Sequence, residues 1–117
     1  MIKDGDGPTE SPKDTIFTAA ELEQFDGTDE SMPIYLAVKQ TVFDVSKSRK
    51  MYGPGGSYRN FAGRDASRAL GMSSTKIENC VSDYFTLDDE QLKVLEDWEK
   101  FFKKKYNIVG TVKSLNH

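Results

Sequence analysis

Apolar residues recur along the chain in two periods, and these periods predict a small set of helices and strands. The longest pattern lies in the segment TLDDEQLKVLEDWEKFFKKKY, where Leu92, Leu95, Trp98 and Phe102 fall on one face of a helix. Its acidic residues come early and its lysines come late, as the helix dipole favours. The pattern predicts one long amphipathic helix near the C-terminus, with Thr86 as its N-cap.

Shorter patterns predict the elements that precede and follow this helix. In FTAAELEQF, Thr18 and Glu21 have the spacing of a capping box, which predicts a short helix that ends before Gly27. Alternating apolar residues in IYLAVKQTVFDV predict a hairpin with Lys39 and Gln40 at its tip, although a tight turn favours glycine at the second position. The segment IVGTV predicts a closing strand.

A segment rich in glycine and tyrosine lies between the hairpin and the long helix. The glycine loop reads YGPGGSY, from Tyr52 to Tyr58, and the helical unit after it is expected to break near Gly63 and to end before Gly71. The order of helix, hairpin, short helices, long helix and strand predicts an α+β domain, with the helices grouped on one side of a small sheet.

Length and charge narrow the class of protein. The chain has 117 residues and a net charge of −3, which predicts one domain and argues against a nucleic-acid binder. We expect residues 1–15 to form a disordered acidic leader, residues 16–113 the domain and residues 114–117 a flexible tail. The leader lacks the apolar core of a signal peptide, and no segment approaches the roughly 20 apolar residues of a membrane helix.

Three kinds of ligand could bind at the glycine loop. A phosphate is disfavoured, because the glycine spacing matches neither common nucleotide-binding pattern. Asp65 could act as the base of an enzyme, but beside Arg64 and Arg68 it is more typical of a helix-start carboxylate with local ion pairs. A large flat apolar cofactor is the third candidate, since glycines admit its face and a tyrosine can ligate haem iron. The only histidine is His117, which argues against histidine bases, zinc sites and bis-histidine haem.

Three long segments carry a resemblance to a known family. FTAAELEQFDGTDESMPIYLAV, VFDVSKSRKMYGPGGSYRNFAGRDASRAL and DWEKFFKKKYNIVG together resemble the membrane-associated progesterone receptor family, a branch of the cytochrome b5-like haem/steroid-binding domains. The resemblance runs from Phe17 to Val112. It implies a cytochrome b5-like fold, in which a small sheet and several short helices form a haem pocket. Cytochrome b5 has a histidine ligand in an HPGG motif, and YGPGG stands in its place here.

The resemblance also implies a set of site residues. The family's Y-G-P-x-G-x-Y block places the single axial ligand to the iron of haem b on Tyr58, and the tyrosine that lines the haem on Tyr52. Its Lys-Tyr pair near the end of the long helix falls on Lys105 and Tyr106. In the family this last tyrosine hydrogen-bonds the ligand phenolate. No catalytic residue is implied.

The function that the resemblance implies is binding rather than catalysis. Family members bind haem and support haem-thiolate monooxygenases of sterol and steroid metabolism, as an adaptor or haem donor. The open haem face of part of the family implies a haem-dependent homodimer. The alternative is a steroid-binding or protein-interaction module that uses the same cleft without haem. We expect the chain in the cytosol or on the cytosolic face of the endoplasmic reticulum membrane, with secretion less favoured.

Overall fold

The computed structural model describes residues 7–113, which form one four-stranded sheet and a set of mostly short helices. The strands are β1 (Thr15–Phe17), β2 (Tyr35–Val38), β3 (Thr41–Asp44) and β4 (Asn107–Val112). The α-helices are α1 (Ala19–Glu23), α2 (Arg49–Tyr52), α3 (Ser67–Gly71) and α4 (Asp89–Lys105), and single 3-10 turns lie at Ser46–Ser48, Arg59–Phe61 and Ile77–Asn79.

The sheet has the strand order β1-β4-β3-β2, with β1 parallel to β4 and the other pairs antiparallel. The sequence did not predict β1, because three residues with only Phe17 buried give no alternation. Its pairing depends on a glycine: Gly110 lies opposite Thr15, and a Cβ at Gly110 would lie 1.9 Å from the Thr15 carbonyl oxygen. β4 therefore joins the first strand of the domain to the hairpin.

Alternate residues of the hairpin face opposite sides of this sheet. Leu36 and Phe43 belong to a larger core that receives α2, α3 and α4. Ala37 and Val42 belong to a smaller core that receives Leu22 of α1. The α+β class is as predicted, but the helices are not all on one side, because α1 packs on the face opposite the other three.

The tip of the predicted hairpin is confirmed, and it forms without glycine. Lys39 and Gln40 both have left-handed backbone conformations, with φ of 49° and 69°. The start of α3 satisfies their backbone: Lys39 N donates to Ser67 Oγ at 2.6 Å, and Gln40 N donates to Asp65 Oδ2 at 3.0 Å. A tertiary contact thus compensates for an unfavourable turn residue.

The position of Asp65 settles its role. Asp65 is buried, and its Oδ1 accepts hydrogen bonds from the backbone N and the Oγ of Ser67. Within residues 7–113 no ion pair joins it to Arg64 or Arg68, contrary to the predicted local pairing. The carboxylate supports the hairpin turn and the first turn of α3.

The predicted N-cap is confirmed at α1, whereas the N-cap of α4 and the last residue of α3 differ from the prediction. Thr18 and Glu21 form the predicted capping box of α1. At α4 the box is formed by Asp88 and Gln91 rather than by Thr86, because Asp88 stands three residues before a glutamine that can reach back to its backbone. The chain does break at Gly63, which has φ of +75°. At α3, Gly71 remains the last helical residue.

Residues 7–14 lie against the sheet without forming a helix or strand. Thr9 N and Glu10 N donate to Asn107 Oδ1 at 2.7 and 3.1 Å, and Lys13 N donates to the Ile108 carbonyl at 3.0 Å. Thr15, which we assigned to the leader, begins β1. Residues 1–6 of the predicted leader and the tail at 114–117 lie outside the described residues, so these boundaries remain predictions.

Candidate functional site

The glycine loop folds back on the helix that precedes it. Gly53 N donates to the Arg49 carbonyl at 2.8 Å, and Tyr58 N donates to the Met51 carbonyl at 2.8 Å. Gly56 permits this return, because a Cβ at that position would lie 2.3 Å from the Met51 carbonyl oxygen. The loop therefore brings the tyrosine at its end next to the tyrosine at its start.

The two predicted site tyrosines are neighbours that differ in exposure. Their ring centroids lie 5.8 Å apart, and Tyr52 is only 2% exposed whereas Tyr58 is half-buried. The Tyr58 ring stacks on Phe61 at 5.4 Å and meets the edge of Trp98 at 6.2 Å. Tyr58 is thus fixed by rings on several sides while part of it remains accessible.

The end of α4 brings Tyr106 to the same cluster from the other side of Tyr52. The Tyr106 hydroxyl lies 2.7 Å from Ser48 Oγ, and its ring meets Tyr52 edge-on at 6.4 Å. The structure thus shows the Tyr106 hydroxyl bonded to Ser48, and the bond to the Tyr58 phenolate that the resemblance implies stays a prediction.

Burial controls the ionisation of the inner tyrosine. Desolvation raises the pKa of Tyr52 far above its ordinary value, and the nearby hydroxyls of Tyr106 and Tyr58 raise it further. Tyr52 therefore stays protonated at physiological pH. A protonated phenol can donate a hydrogen bond to an anion beside it.

Lys105 adds a positive charge at the border of the aromatic cluster. Its Nζ lies 5.6 Å from the ring centroid of Phe101 and 5.8 Å from that of Tyr106. The side chain is half-buried, which leaves its ammonium group able to meet an acidic group of a ligand. Lys105 thus lies at the border of the aromatic cluster rather than inside it, and its role in ligand binding stays a prediction.

Sequence reasoning missed several residues that complete this region. We call the whole aromatic group the site cluster; it consists of Tyr52, Tyr58, Phe61, Trp98, Phe101, Phe102 and Tyr106. Trp98 and Phe102 had been interpreted as core positions of the long helix, and Ser48 had no signal at all. Phe101 lies beside the apolar stripe of the helix, and the pattern gave no sign that its ring would stay 41% exposed while it contacts Trp98 and Phe102.

An exposed apolar rim lies beside the site cluster. Met51 is 43% exposed and Phe101 is 41% exposed, and Trp98 is half-buried. Together with the open backbone at Gly55, where a Cβ would meet nothing within 4 Å, they leave an apolar surface beside Tyr58. Such a surface suits a flat apolar ligand more than a phosphate or a sugar.

Comparisons with known proteins identify the family to which this fold belongs. The model of the cytochrome b5-like heme/steroid binding domain family matches residues 18–112. The Arabidopsis thaliana protein named Probable steroid-binding protein 3 is 49% identical over 98 residues, which cover 84% of this chain and 98% of that protein. Membrane steroid-binding protein 1 of Arabidopsis thaliana is 47% identical over 82% of this chain, but the match spans only 44% of that protein.

A solved structure with the same fold supports the comparison by sequence. The structure of a hypothetical protein from Arabidopsis thaliana, described as having a cytochrome b5 like fold, superposes with a TM-score of 0.79 at 48% identity, over 86% of this chain and 92% of that one. The predicted fold is therefore confirmed. Between residues 7 and 113, no helix combines the length and the apolarity that crossing a membrane requires. With the fold, the matched residues and these relatives in agreement, the chain belongs to the cytochrome b5-like haem/steroid-binding domain family, in the branch of the membrane steroid-binding and progesterone-binding proteins.

Proposed function

We propose that the chain binds haem b with the phenolate of Tyr58 as the single axial ligand to iron. The observation that carries the proposal is the position of Tyr58, a half-buried tyrosine held between Phe61 and Trp98 at the end of the glycine loop. Its ring cannot swing away freely, so the oxygen has a defined place before any ligand arrives. When bound, the iron would supply the positive charge that stabilises the phenolate.

The donor set of the domain fits haem with one protein ligand. Tyr52 and Tyr106 are each 2% exposed, which keeps their oxygens away from a ligand as large as a porphyrin. Burial raises the pKa of Cys80 to about 11, so this thiol stays protonated and is a poor metal ligand. The only histidine is His117, which lies outside the described residues. Tyr58 is thus the donor that a haem at the apolar rim would meet.

Three further residues would hold the haem without touching its iron. Tyr52, kept protonated by burial, would support the Tyr58 phenolate by a hydrogen bond. Tyr106 would hold Tyr52 in place, and the ammonium group of Lys105 would pair with a propionate at the border of the cluster. This arrangement retains the four residues of the sequence prediction and gives Tyr106 an indirect role.

We further propose that the haem-loaded chain supports haem-thiolate monooxygenases of sterol and steroid metabolism, as an adaptor or haem donor at the cytosolic face of the endoplasmic reticulum. Support comes from the family resemblance and from the names of the relatives, which describe binding proteins and, in several cases, membrane proteins. Haem transfer can be tested directly by mixing the haem-loaded chain with a haem-free monooxygenase. The proposal requires the thiolate-ligated spectrum to appear, and no transfer or binding would contradict it.

A second candidate function is steroid binding in the same cleft without haem. The names of Probable steroid-binding protein 3 and Membrane steroid-binding protein 1 favour it. The apolar rim formed by Met51, Trp98 and Phe101 is equally compatible with a steroid face. In this alternative the Tyr58 hydroxyl would hydrogen-bond the steroid oxygen instead of ligating iron.

One pair of titrations distinguishes the two candidates. Purified protein is titrated with haemin and its absorption spectrum is followed, and a second sample is titrated with labelled progesterone. Haem binding predicts a saturable ferric tyrosinate spectrum at one haemin per chain. A colourless protein that binds progesterone would overturn the haem proposal and favour the alternative.

The assembly state follows from the same proposal. A haem with one protein ligand leaves an apolar face open to water, and burying two such faces against each other is favourable. We therefore expect haem-free protein to sediment as a monomer and haem-loaded protein as a concentration-dependent dimer. A haem-loaded sample that remains monomeric at high protein concentration would contradict this.

A further inference from the structure

An asparagine at the start of β4 binds the segment that precedes β1. We call this segment, residues 7–14, the N-terminal strap. Asn107 Oδ1 accepts hydrogen bonds from Thr9 N at 2.7 Å and from Glu10 N at 3.1 Å, and Asn107 Nδ2 donates to Thr9 Oγ1 at 3.1 Å. The side-chain amide of Asn107 thus uses both its acceptor and its donor on the strap, 98 positions away from Thr9 along the chain.

The strap joins the two segments between which Tyr106 is held. Ser48 Oγ lies 2.7 Å from the Tyr106 hydroxyl, so one hydrogen bond ties the turn before α2 to the end of α4. The strap makes a second link between the same segments, because it bonds Asn107, which follows Tyr106, and because its Gly7 carbonyl accepts a hydrogen bond from Lys47 Nζ at 3.3 Å. Lys47 precedes Ser48, and its Nζ lies 5.4 Å from the ring centroid of Tyr106. The docked strap therefore restrains the position of Tyr106.

The strap can open without unfolding the domain. Residues 8–14 are exposed, so the strap is held by polar contacts rather than by buried apolar side chains. A cavity of about 360 Å³ is lined by Gly7 and Thr9 of the strap and by Lys47 and Asn107 of the domain. Segments with few buried contacts open locally at a small fraction of the free energy of global unfolding. The strap therefore has a docked state and a released state.

We infer that the docking of the N-terminal strap is coupled to ligand binding at the site cluster, with Asn107 as the positioning residue that joins the strap to Tyr106. This inference rests on the proposed function, in which Lys105 and Tyr106 help to hold the haem. A bound ligand favours the state in which the end of α4 is fixed, and the docked strap favours the same state. Coupling between two sites is reciprocal, so the ligand stabilises the docked strap by the factor by which the docked strap raises ligand affinity.

The first experiment follows the strap while the ligand binds. Hydrogen exchange of the strap amides, residues 7–14, is measured by rapid-quench mass spectrometry in the full chain, without and with saturating haemin. Haemin should slow this exchange about two- to tenfold, the effect of one neutral hydrogen bond. The readout lies in the strap and does not depend on the colour of the haem.

The second experiment releases the strap and follows the ligand. Thr9→Pro removes the backbone donor and the hydroxyl that bond Asn107, and it leaves every residue of the site cluster in place. It should weaken haemin binding by the factor measured in the first experiment, about two- to tenfold. Asn107→Ala should have the same effect, and Asn107→Asp, which keeps the acceptor, should lie closer to wild type. Asn107→Ala should cause no further loss in the Thr9→Pro background, because the strap is already released.

Two control variants separate strap release from other changes. Glu10→Gln keeps the backbone donor of the strap and removes only the exposed ion pair with Lys13 Nζ, so haemin affinity should equal that of wild type. Asn79 is half-buried like Asn107, and its Nδ2 donates to Ser74 Oγ at 3.0 Å in the loop before α4. Asn79→Ala should leave both haemin affinity and strap exchange unchanged.

The outcomes separate this inference from the proposed function. If wild-type protein binds no haemin, or if Tyr58→Phe leaves the spectrum unchanged, the proposed function itself fails and the inference fails with it. If haemin binds through Tyr58 but does not slow strap exchange, or if Thr9→Pro keeps wild-type affinity, only the inference is overturned. It is equally overturned if Asn79→Ala weakens haemin binding as much as Asn107→Ala does, because affinity then follows the general stability of the domain.

Discussion

The two faces of the sheet each carry an aromatic cluster with at least one tyrosine, yet only one has the features of a ligand site. The smaller group, which we call the rear cluster, consists of Phe17, Phe25 and Tyr35. Phe25 and Tyr35 stack at 4.4 Å, closer than the rings of Tyr58 and Phe61 at 5.4 Å. Close ring packing therefore does not distinguish a site from a core.

The difference lies in backbone access and in the electrostatics around the phenol. Tyr35 belongs to β2, and its N donates to the Phe25 carbonyl at 3.0 Å, so regular structure surrounds it. Burial raises the pKa of Tyr35, and the nearby carboxylate of Asp44 raises it further. Tyr58 instead ends a glycine loop, and its ring lies 5.8 Å from that of Tyr52. A tyrosine oxygen can serve as a ligand where the neighbouring backbone leaves space for the bound group and where hydrogen-bond donors lie nearby. Of the two clusters, the site cluster has both features.

The sharpest test of this comparison replaces one tyrosine in each cluster. Tyr58→Phe keeps the ring but deletes the oxygen, so haemin binding should weaken by more than about a hundredfold, beyond the roughly 1.5–3 kcal/mol of a charge-assisted hydrogen bond. Tyr35→Phe is the matched control and should leave haemin affinity unchanged. Both variants should stay folded by circular dichroism. Equal haemin affinity in wild type and Tyr58→Phe would mean that the ligand lies elsewhere.

The second test compares the clusters as contributors to stability. Phe102 is fully buried and its ring lies 5.5 Å from those of Phe43 and Tyr106, so Phe102→Ala should lower the unfolding free energy by about 3–5 kcal/mol. Phe25 is half-buried, and Phe25→Ala should cost about 1–2 kcal/mol. Denaturant unfolding of the haem-free variants measures both values. If Phe102→Ala does not fold, Phe102→Leu should still lose more stability than Phe25→Ala.

The elements with strong periodicity could be predicted from sequence, and the contacts between distant residues could not. The stripe containing Leu95 and Phe102 and the capping box at Thr18 each depend on residues within one or two helical turns, so local spacing determines them. The contact of Ser48 with Tyr106 joins residues 58 positions apart, and nothing local indicates it. β1 escaped prediction for the same reason, since its partner strand lies at the far end of the domain.

Local patterns were also ambiguous where two residues competed for one role. Thr86 and Asp88 both suit an N-cap, and the choice depended on Gln91, whose side chain completes the box with Asp88. The candidate site tyrosines were identified through a resemblance carried by the whole YGPGGSY block, whereas the contact of Tyr106 with Ser48 appears only in the three-dimensional arrangement. A motif identifies which residues matter, and geometry decides what each one touches.

The third test concerns Asp65, whose carboxylate holds the turn of the hairpin. Both clusters pack on the strands of this hairpin. Burial raises the pKa of Asp65 above its ordinary value of 3.8. A raised pKa in the folded state means that Asp65 contributes stability below pH 3.8, and that this contribution is lost as pH rises through the folded-state pKa. Relative to Asp65→Asn, wild type should therefore lose unfolding free energy as pH rises, about 1.4 kcal/mol for each unit of pKa difference.

The readout is the difference in pH slope, because the asparagine amide also places a donor beside Gln40 N and changes the absolute stability. Unfolding of the haem-free proteins is measured from pH 3 upward, a range of roughly 3–7 that brackets ordinary carboxyl pKa values. Parallel pH profiles for wild type and Asp65→Asn would contradict the assignment. Because the turn serves both faces, the fluorescence of Trp98 and the circular dichroism of the whole domain should report the same transition.

The smallest expected effect comes from a substitution at the hairpin tip. This substitution changes the stability of the sheet and should leave ligand binding at the site unchanged. Gln40 has φ of 69°, a conformation that glycine adopts without strain, so Gln40→Gly should raise the unfolding free energy by about 0.5–1 kcal/mol. Gln24 is the matched control, because it ends α1 with φ of −68°, and Gln24→Gly should lower stability by a similar amount. Neither residue touches the site cluster, so both variants should bind haemin with wild-type affinity. A change in haemin affinity that follows stability in these two variants would mean that ligand binding depends on the whole sheet, and that the two faces are less independent than their separate clusters indicate.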